Sequence, residues 1–186
     1  MARHIRLLAV GFMIGVILVM LELTGLRAHF TLAALRSALE AHRFQGLAIF
    51  TALFCLGNLA QIPGWIFLAA AVLALGQMAG GIATYFAASV SCLVVFLVVR
   101  LIGGDALRKL DNTLAKRILA HLDRHPLASV WLLRVLFQTA PPRNYSLALS
   151  GVGVRAYLLG TLLGLPLPIA VYCLLFDFLA GALQIR

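Results

Sequence analysis

Long apolar runs alternate with short polar segments along this chain, and two apolar stretches are interrupted near their centres by proline. The first interruption is Gln61-Ile62-Pro63-Gly64-Trp65, ahead of an apolar run from Ile82 to Val99. The second is Ala140-Pro141-Pro142-Arg143-Asn144, ahead of a run from Ala156 to Ala182. Both runs approach or exceed the roughly 20 residues that a helix needs to cross a bilayer. The pattern therefore predicts an internal repeat, in which a broken helical segment is followed by a transmembrane helix.

Two units are predicted, residues 1–43 and residues 44–186. Basic residues precede an apolar run from Leu7 to Leu21 that resembles a signal peptide, but no small-x-small cleavage pattern follows it. We therefore predict a retained transmembrane helix there. Leucines recur at helical spacing from Thr31 to Arg43, with charged residues between them, which predicts a helix lying at the membrane interface.

The second unit is predicted to contain two hairpins, near residues 44–79 and 127–152. Each arm of the first is too short or too polar at its inner end to span a bilayer alone, which favours a hairpin that dips into the membrane. Paired broken helices indicate a transport site, because they leave backbone groups unpaired near the bilayer midplane. Gly76, Gly80 and Gly81 predict a turn before the span that starts at Ile82.

Between the hairpins, the spacing from Asp105 to Arg124 predicts an amphipathic helix with leucines on one face and basic residues on the others. Two interpretations are open. The helix lies on an anionic leaflet, where each basic residue contributes about 1 kcal/mol, or it is a solvated connector whose charges set the topology.

Composition supports this all-α integral membrane class, since 63% of residues are hydrophobic and 11% charged, against about a quarter charged in soluble domains. The net charge of +9 comes from basic residues that flank apolar runs, so anionic membrane lipids are expected as partners and nucleic acid is not. The three cysteines have no metal-ligand spacing, and no cofactor is expected. No nucleophile, base and orienting acid recur together, so no enzyme site is expected.

Counts of Lys and Arg favour a cytoplasmic N-terminus. The inner side then carries Arg3, Arg6, Arg155 and the basic residues between Arg100 and Arg124, and the outer side carries Arg27, Arg36, Arg43 and Arg186. The first hairpin would enter from outside and the second from inside. The prediction is a helical bundle with two inverted-repeat re-entrant hairpins.

Two arginines near the second break are candidate anion ligands. Arg134 lies inside the apolar stretch from Leu127 to Thr139, roughly 12 Å along a helix from Pro126. A guanidinium at that depth needs a partner, and its planar fork matches phosphate; the alternatives are a structural ion pair or a side chain that snorkels to the interface. Arg143 lies at the break, either as an anion ligand at a helix N-terminus or as a surface arginine.

Other polar residues occur near the breaks or within the apolar runs. Gln61 and Asn144, like Asn58 and Gln138, flank the breaks and either line a polar cavity or cap freed backbone groups. Asp177 is a candidate protonatable coupling group, a salt-bridge partner, or an interfacial acid that marks the end of its helix. Three GxxxG patterns permit close helix contact, within the bundle or in a homo-oligomer.

Taken in order, these motifs resemble the DedA/VTT-domain superfamily, also called SNARE-associated Golgi proteins. The similarity covers most of Phe44 to Asp177 and is closer to the branch with Pro-Gly-Trp in its first hairpin. The first half of the match consists of Gln61-Ile62-Pro63-Gly64-Trp65, Ala69 to Ala71, Gly80-Gly81, Phe96 to Arg100 and Gly103. The second half consists of Arg134, Pro141, Asn144-Tyr145, Gly151, Tyr157, Gly160-Thr161, Gly164 and Pro166.

The resemblance implies two facing re-entrant hairpins and movement of lipids, by a flippase or scramblase for undecaprenyl phosphate or phospholipids. The expected location is the plasma (inner) membrane. A proton-coupled transporter of small solutes or anions and a non-transporting scaffold for membrane biogenesis are the alternatives. The predicted substrate-binding residues are Arg134, Arg143, Asn144, Pro63, Gln61 and Pro141, with Asp177 as the coupling residue.

Overall fold

The computed structural model describes residues 43–109, 113–136 and 142–182, together with positions 8, 10–13, 15, 16 and 19 of the N-terminal apolar run. The N-terminal positions are helical, and Val10 packs in the core of the bundle. The predicted interfacial helix, apart from Arg43, lies outside the described residues. Glu22, Gln138 and Pro141 lie outside them as well.

Every regular element in the described part of the chain is helical, which confirms the all-α class. The first half contains α1 (Arg43–Leu59), α2 (Gly64–Leu75), α3 (Gln77–Gly103) and a short 3-10 helix (Ala106–Lys109). The second half contains α4 (Thr113–Arg124), α5 (Pro126–Leu136), α6 (Pro142–Leu149), α7 (Val154–Gly164) and α8 (Pro166–Ala182).

Among the residues that the structure describes, two helical stretches are long and apolar enough to cross a membrane. They are Gln77–Gly103, which is α3, and Val154–Phe176, which combines α7 with most of α8. They coincide with the two long runs predicted from hydropathy. The chain is an integral membrane protein built from helices.

The chain reverses direction at the first proline break. Phe54 stacks on Phe67 with ring centroids 4.5 Å apart, and Phe50 meets the same ring edge-on at 6.2 Å. In one continuous helix, Phe50 and Phe67 would be about 25 Å apart. Helices α1 and α2 therefore form a helical hairpin; that it enters the bilayer without crossing it stays a prediction.

The predicted three-glycine turn after this hairpin is wrong in its extent. Gly76 alone forms the turn, with φ of 78°, and α3 already begins at Gln77. Gly80 is inside α3, where an added Cβ would lie 2.5 Å from the carbonyl oxygen of Ala71. The second glycine is therefore explained by close packing of α2 on α3 rather than by a turn.

Helix α3 is the central element of the bundle, because it contacts α1, α2, α6, α7 and α8. Its first half packs in a cluster with the phenylalanines of the α1–α2 hairpin and the start of α8. Its second half, around Val95, Phe96 and Val99, packs in another cluster with α5, α6 and α7. The buried polar residues described below lie where these two clusters meet.

The junction between α7 and α8 shows how a proline is accommodated in this bundle. Pro166 has no N–H, so the carbonyl of Leu162 loses its helical donor. The Tyr85 hydroxyl of α3 donates to that carbonyl at 3.1 Å. The break is thus satisfied by a side chain from the first half of the chain.

Candidate anion site at Arg134

Close packing of α5 on α7 places Arg134. An added Cβ on Gly164 would lie 2.6 Å from the Cβ of Arg134, and one on Gly160 would lie 2.7 Å from the Cβ of Val130. Only glycine fits at these two positions, because a larger residue would separate the two backbones. The GxxxG pattern of α7 therefore serves packing within the bundle and seats Arg134 against that helix.

Arg134 is fully buried, with 0% of its surface exposed. Its Nε donates to Thr161 Oγ1 at 3.1 Å, and its Nη2 donates to the Tyr157 hydroxyl at 2.7 Å. The Tyr157 ring also lies under the guanidinium, 5.2 Å from the Arg134 Cζ. The side chain points into the bundle, which excludes the interpretation that it snorkels to the interface.

The charge of Arg134 is not neutralised by any described carboxylate. The carboxylates whose side chains the structure describes are Asp105 and Asp123, and Asp123 pairs with Arg108. In the described part of the chain, Nη1 of Arg134 is buried and has no hydrogen-bond partner. A buried charge is costly unless it is paired. Arg134 therefore presents a desolvated positive charge with one open donor group.

Tyr157 is held on two sides. Its ring stacks on Phe96 with centroids 4.1 Å apart. Its hydroxyl accepts from Arg134 and faces two acceptors, the Cys92 carbonyl at 3.0 Å and Asn144 Oδ1 at 3.3 Å. The hydroxyl thus connects the arginine of α5 with the central helix and with the start of α6.

Hydrogen bonds continue from Tyr157 into the first half of the chain. Asn144 Nδ2 donates to Asn58 Oδ1 at 2.8 Å, and Asn58 Nδ2 donates to Ser91 Oγ at 2.9 Å. The Ser91 hydroxyl lies 3.3 Å from the Phe54 carbonyl. We call the series Arg134, Tyr157, Asn144, Asn58 and Ser91 the polar network; all five residues are buried. Neutral polar groups from both predicted repeats therefore lie around the buried charge of Arg134.

The first proline break touches the second half of the chain. Pro63 frees the carbonyl of Leu59, and the Tyr145 hydroxyl donates to it at 2.6 Å. The Gln61 side chain lies beside the same hydroxyl, and Gln61 itself has a positive φ of 61°. Gln61 and Pro63 thus form a tight turn whose open carbonyl is capped from α6.

The other predicted site residues are placed only in part. Arg143 belongs to α6 and Asp177 to α8, but their side chains lie outside the described residues, as does Pro141 entirely. Asn144 is buried, with both ends of its amide engaged in the polar network. The structure brings Asn144 and Arg134 together through Tyr157.

Two arginines at one end of α3 have a structural role. Arg100 Nη2 donates to the Val152 carbonyl, and Arg108 Nε donates to the Ser150 carbonyl at 2.7 Å. Gly151 between these carbonyls has φ of 83° and lies under the Arg108 side chain. The basic residues here fasten the turn between α6 and α7, so their charge is not all available to lipids.

The helices and the buried cation define a class of protein, a polytopic helical membrane protein with a polar interior. Residues 62–178, more than half of the chain, match the VTT domain. The chain belongs to this family, the domain of the DedA and SNARE-associated proteins. Its members are in general non-enzymatic membrane proteins often linked to transport or lipid handling. Neither curated proteins nor solved structures give a match.

Proposed function

We propose that this protein translocates phosphate-bearing lipids, as a flippase or scramblase for undecaprenyl phosphate or phospholipids, in the plasma (inner) membrane. The observation that carries the proposal is Arg134, a fully buried arginine whose Nη1 has no partner, and whose charge has no carboxylate, among the described residues. A phosphate oxygen supplies the missing acceptor and the missing negative charge. The acyl chains would remain in the bilayer while the headgroup passes along the polar interior.

The remaining predicted residues have assigned roles in this proposal. Arg143, at the start of α6, adds a second positive charge where a helix N-terminus favours anions. The breaks at Pro63 and Pro141 open the bundle to a headgroup, Gln61 and Asn144 line that opening, and Asp177 couples movement to protons. Anionic lipids are the partners, and a homo-oligomer is compatible with the glycine patterns of the chain.

A proton-coupled transporter of small anions is the second candidate, and the same observation favours it. Nη1 of Arg134 would donate to an oxygen of a free anion as readily as to an oxygen of a headgroup. The two candidates differ in whether an acyl chain is required. They therefore separate in an assay that offers both kinds of substrate.

Reconstitution into liposomes tests the proposal. Fluorescent phosphatidic acid and phosphatidylglycerol are followed across the bilayer, with a diacylglycerol analogue as the phosphate-free control and radiolabelled inorganic phosphate as the free anion. We expect wild-type protein to move the phosphate lipids, Arg134→Ala to abolish that movement, and Arg134→Lys to recover it in part. Lysine retains the charge but lacks the planar fork with which Nε and Nη2 engage Thr161 and Tyr157.

Three results would contradict the proposal. If Arg134→Ala moves lipid at the wild-type rate, and thermal unfolding shows that the variant is folded, the headgroup site is excluded. Uptake of inorganic phosphate without lipid movement would replace the lipid translocator by the anion transporter. No movement of any substrate would favour the scaffold.

A further inference from the structure

The guanidinium of Arg134 is used asymmetrically. Nε and Nη2 form the side edge through which arginine usually takes a phosphate or carboxylate in two parallel hydrogen bonds. Here that edge is taken by Thr161 Oγ1 and the Tyr157 hydroxyl, at 3.1 and 2.7 Å. The open donor is Nη1, which is buried and has no partner among the residues that the structure describes. Whatever fixes Tyr157 therefore decides which edge of Arg134 meets an anion.

Tyr157 is fixed from a distance by the first half of the chain. Its hydroxyl meets Asn144 Oδ1 at 3.3 Å, and the Asn144 amide donates onward to Asn58 of α1 at 2.8 Å. We propose that Tyr157, Asn144 and Asn58 are positioning residues for anion recognition, which keep the side edge of Arg134 occupied and so leave Nη1 as the donor to a phosphate oxygen. This inference rests on the proposed function.

The polar network runs in one direction. Arg134 donates to Tyr157, Asn144 to Asn58, Asn58 to Ser91, and Ser91 to the Phe54 carbonyl. The single proton of the Tyr157 hydroxyl is shared between Asn144 Oδ1 at 3.3 Å and the Cys92 carbonyl at 3.0 Å. Hydrogen bonds aligned head to tail in a low-dielectric interior strengthen one another. Asn58 contacts neither Arg134 nor Tyr157 through any of these bonds. Its loss should nevertheless weaken the hydrogen bond by which Tyr157 holds the guanidinium.

Binding measured on the full-length protein in detergent tests this inference without depending on transport. The probe is short-chain phosphatidic acid, and the readout is the concentration that gives half of the maximal rise in unfolding temperature, since a ligand that binds the native state raises that temperature. A short-chain diacylglycerol tests whether the phosphate is needed. Inorganic phosphate, added in parallel, tests whether the acyl chains are needed.

Tyr157→Phe and Asn58→Ala interrupt the polar network at its middle and in the first repeat. Each should raise the half-saturating concentration about tenfold, which corresponds to the loss of one buried hydrogen bond. Tyr85→Phe is the matched control, because it also removes a tyrosine hydroxyl that donates to a backbone carbonyl, but one outside the polar network. It should lower the unfolding temperature without lipid and leave the half-saturating concentration unchanged.

Asn144→Asp separates positioning from support of the fold. A carboxylate beside Tyr157 would provide Arg134 with a nearby negative charge and compete with phosphate. We expect the unfolding temperature without lipid to be retained and the response to phosphatidic acid to be lost. A purely structural Asn144 predicts the reverse, a lower unfolding temperature and an unchanged response, and that result would overturn the inference.

The outcomes distinguish this inference from the proposed function. If Arg134→Ala responds to phosphatidic acid as the wild type does, or if the wild type does not respond, the headgroup site fails and the positioning role fails with it. If Arg134→Ala abolishes the response but Tyr157→Phe and Asn58→Ala bind with wild-type affinity, the positioning role alone is wrong. An equal response to inorganic phosphate supports positioning of a free-anion site.

Discussion

The two proline-broken segments of this protein solve opposite problems. The first, from Phe44 to Val99, contains no charged residue, and its difficulty is an open backbone carbonyl at Leu59. The second carries a fully buried cation, and its difficulty is that no described carboxylate balances Arg134. Tyr145 of the second segment meets the carbonyl. Arg134 is bound by Thr161 and Tyr157 of its own segment, and the polar network continues from there to Asn58 of the first segment. The comparison teaches that the polar interior is a joint product of both halves.

Separation of α5 from α7 should have the largest effect on stability, because it removes the close helix contact that positions Arg134. In Gly164→Val the new Cβ would lie 2.6 Å from the Arg134 Cβ and 3.1 Å from the Trp131 carbonyl oxygen. We expect a loss of about 3 kcal/mol in stability, as for other overpacked sites, measured by thermal unfolding in detergent. Gly153→Ala, where the added Cβ meets nothing within 4 Å, is the control. Equal stability of the two variants would mean that the helices separate at little cost.

The second-largest effect is expected when the hydroxyl that caps the first break is removed. Tyr145→Phe leaves the Leu59 carbonyl without the hydroxyl that lies 2.6 Å away, and an unsatisfied buried acceptor costs about 2 kcal/mol. The loss of unfolding free energy should therefore exceed that of an exposed substitution such as Arg155→Gln. A Tyr145→Phe variant as stable as the wild type would show that the carbonyl finds another donor.

Substitution of the prolines tests the comparison by its effect on transport. Pro63→Ala restores a backbone N–H that can pair with the Leu59 carbonyl and straighten the turn. We expect lipid movement in liposomes to fall about tenfold, equivalent to about 1.4 kcal/mol, while expression changes little. The same substitution at Pro141 should act in the same direction. Unchanged transport in both variants would reduce the prolines to packing features.

The smallest effect is expected at the exposed ion pair between Arg108 and Asp123. Arg108 pairs with Asp123, and both side chains are exposed, so Asp123→Asn should cost well under 1 kcal/mol. Arg108→Gln should cost more than Asp123→Asn, because Arg108 also holds the Ser150 carbonyl. Equal costs would mean that this hydrogen bond does not fasten the turn.

Much of the architecture was predictable from local pattern. The hydropathy of the two long spans and the positions of the prolines located α3, the α7–α8 stretch and the first helical hairpin, because lipid imposes length and proline imposes a break. The depth of Arg134 was predictable too, since it lies well inside an apolar stretch.

The partners of the site were not predictable in the same way. Tyr157 and Thr161 lie 23 and 27 positions beyond Arg134, and Asn58 lies 86 positions before Asn144, so only tertiary packing brings them together. Gly80 was misassigned to a turn because a glycine required by helix contact and a glycine required by a turn look alike in sequence. Tyr145, Tyr157 and Thr161 were marked in the sequence only as residues of the family resemblance, which does not give their contacts.

The two tyrosine hydroxyls that cap the proline breaks determine whether the chain can be produced as two separate halves. Tyr145 of the second half closes the break at Leu59, and Tyr85 of the first half closes the break at Leu162. Neither half holds the donor that its own proline demands. The two halves are therefore reciprocal rather than modular: half-chains produced separately would each keep an open carbonyl in an apolar interior, and only co-assembly of the two would complete either one.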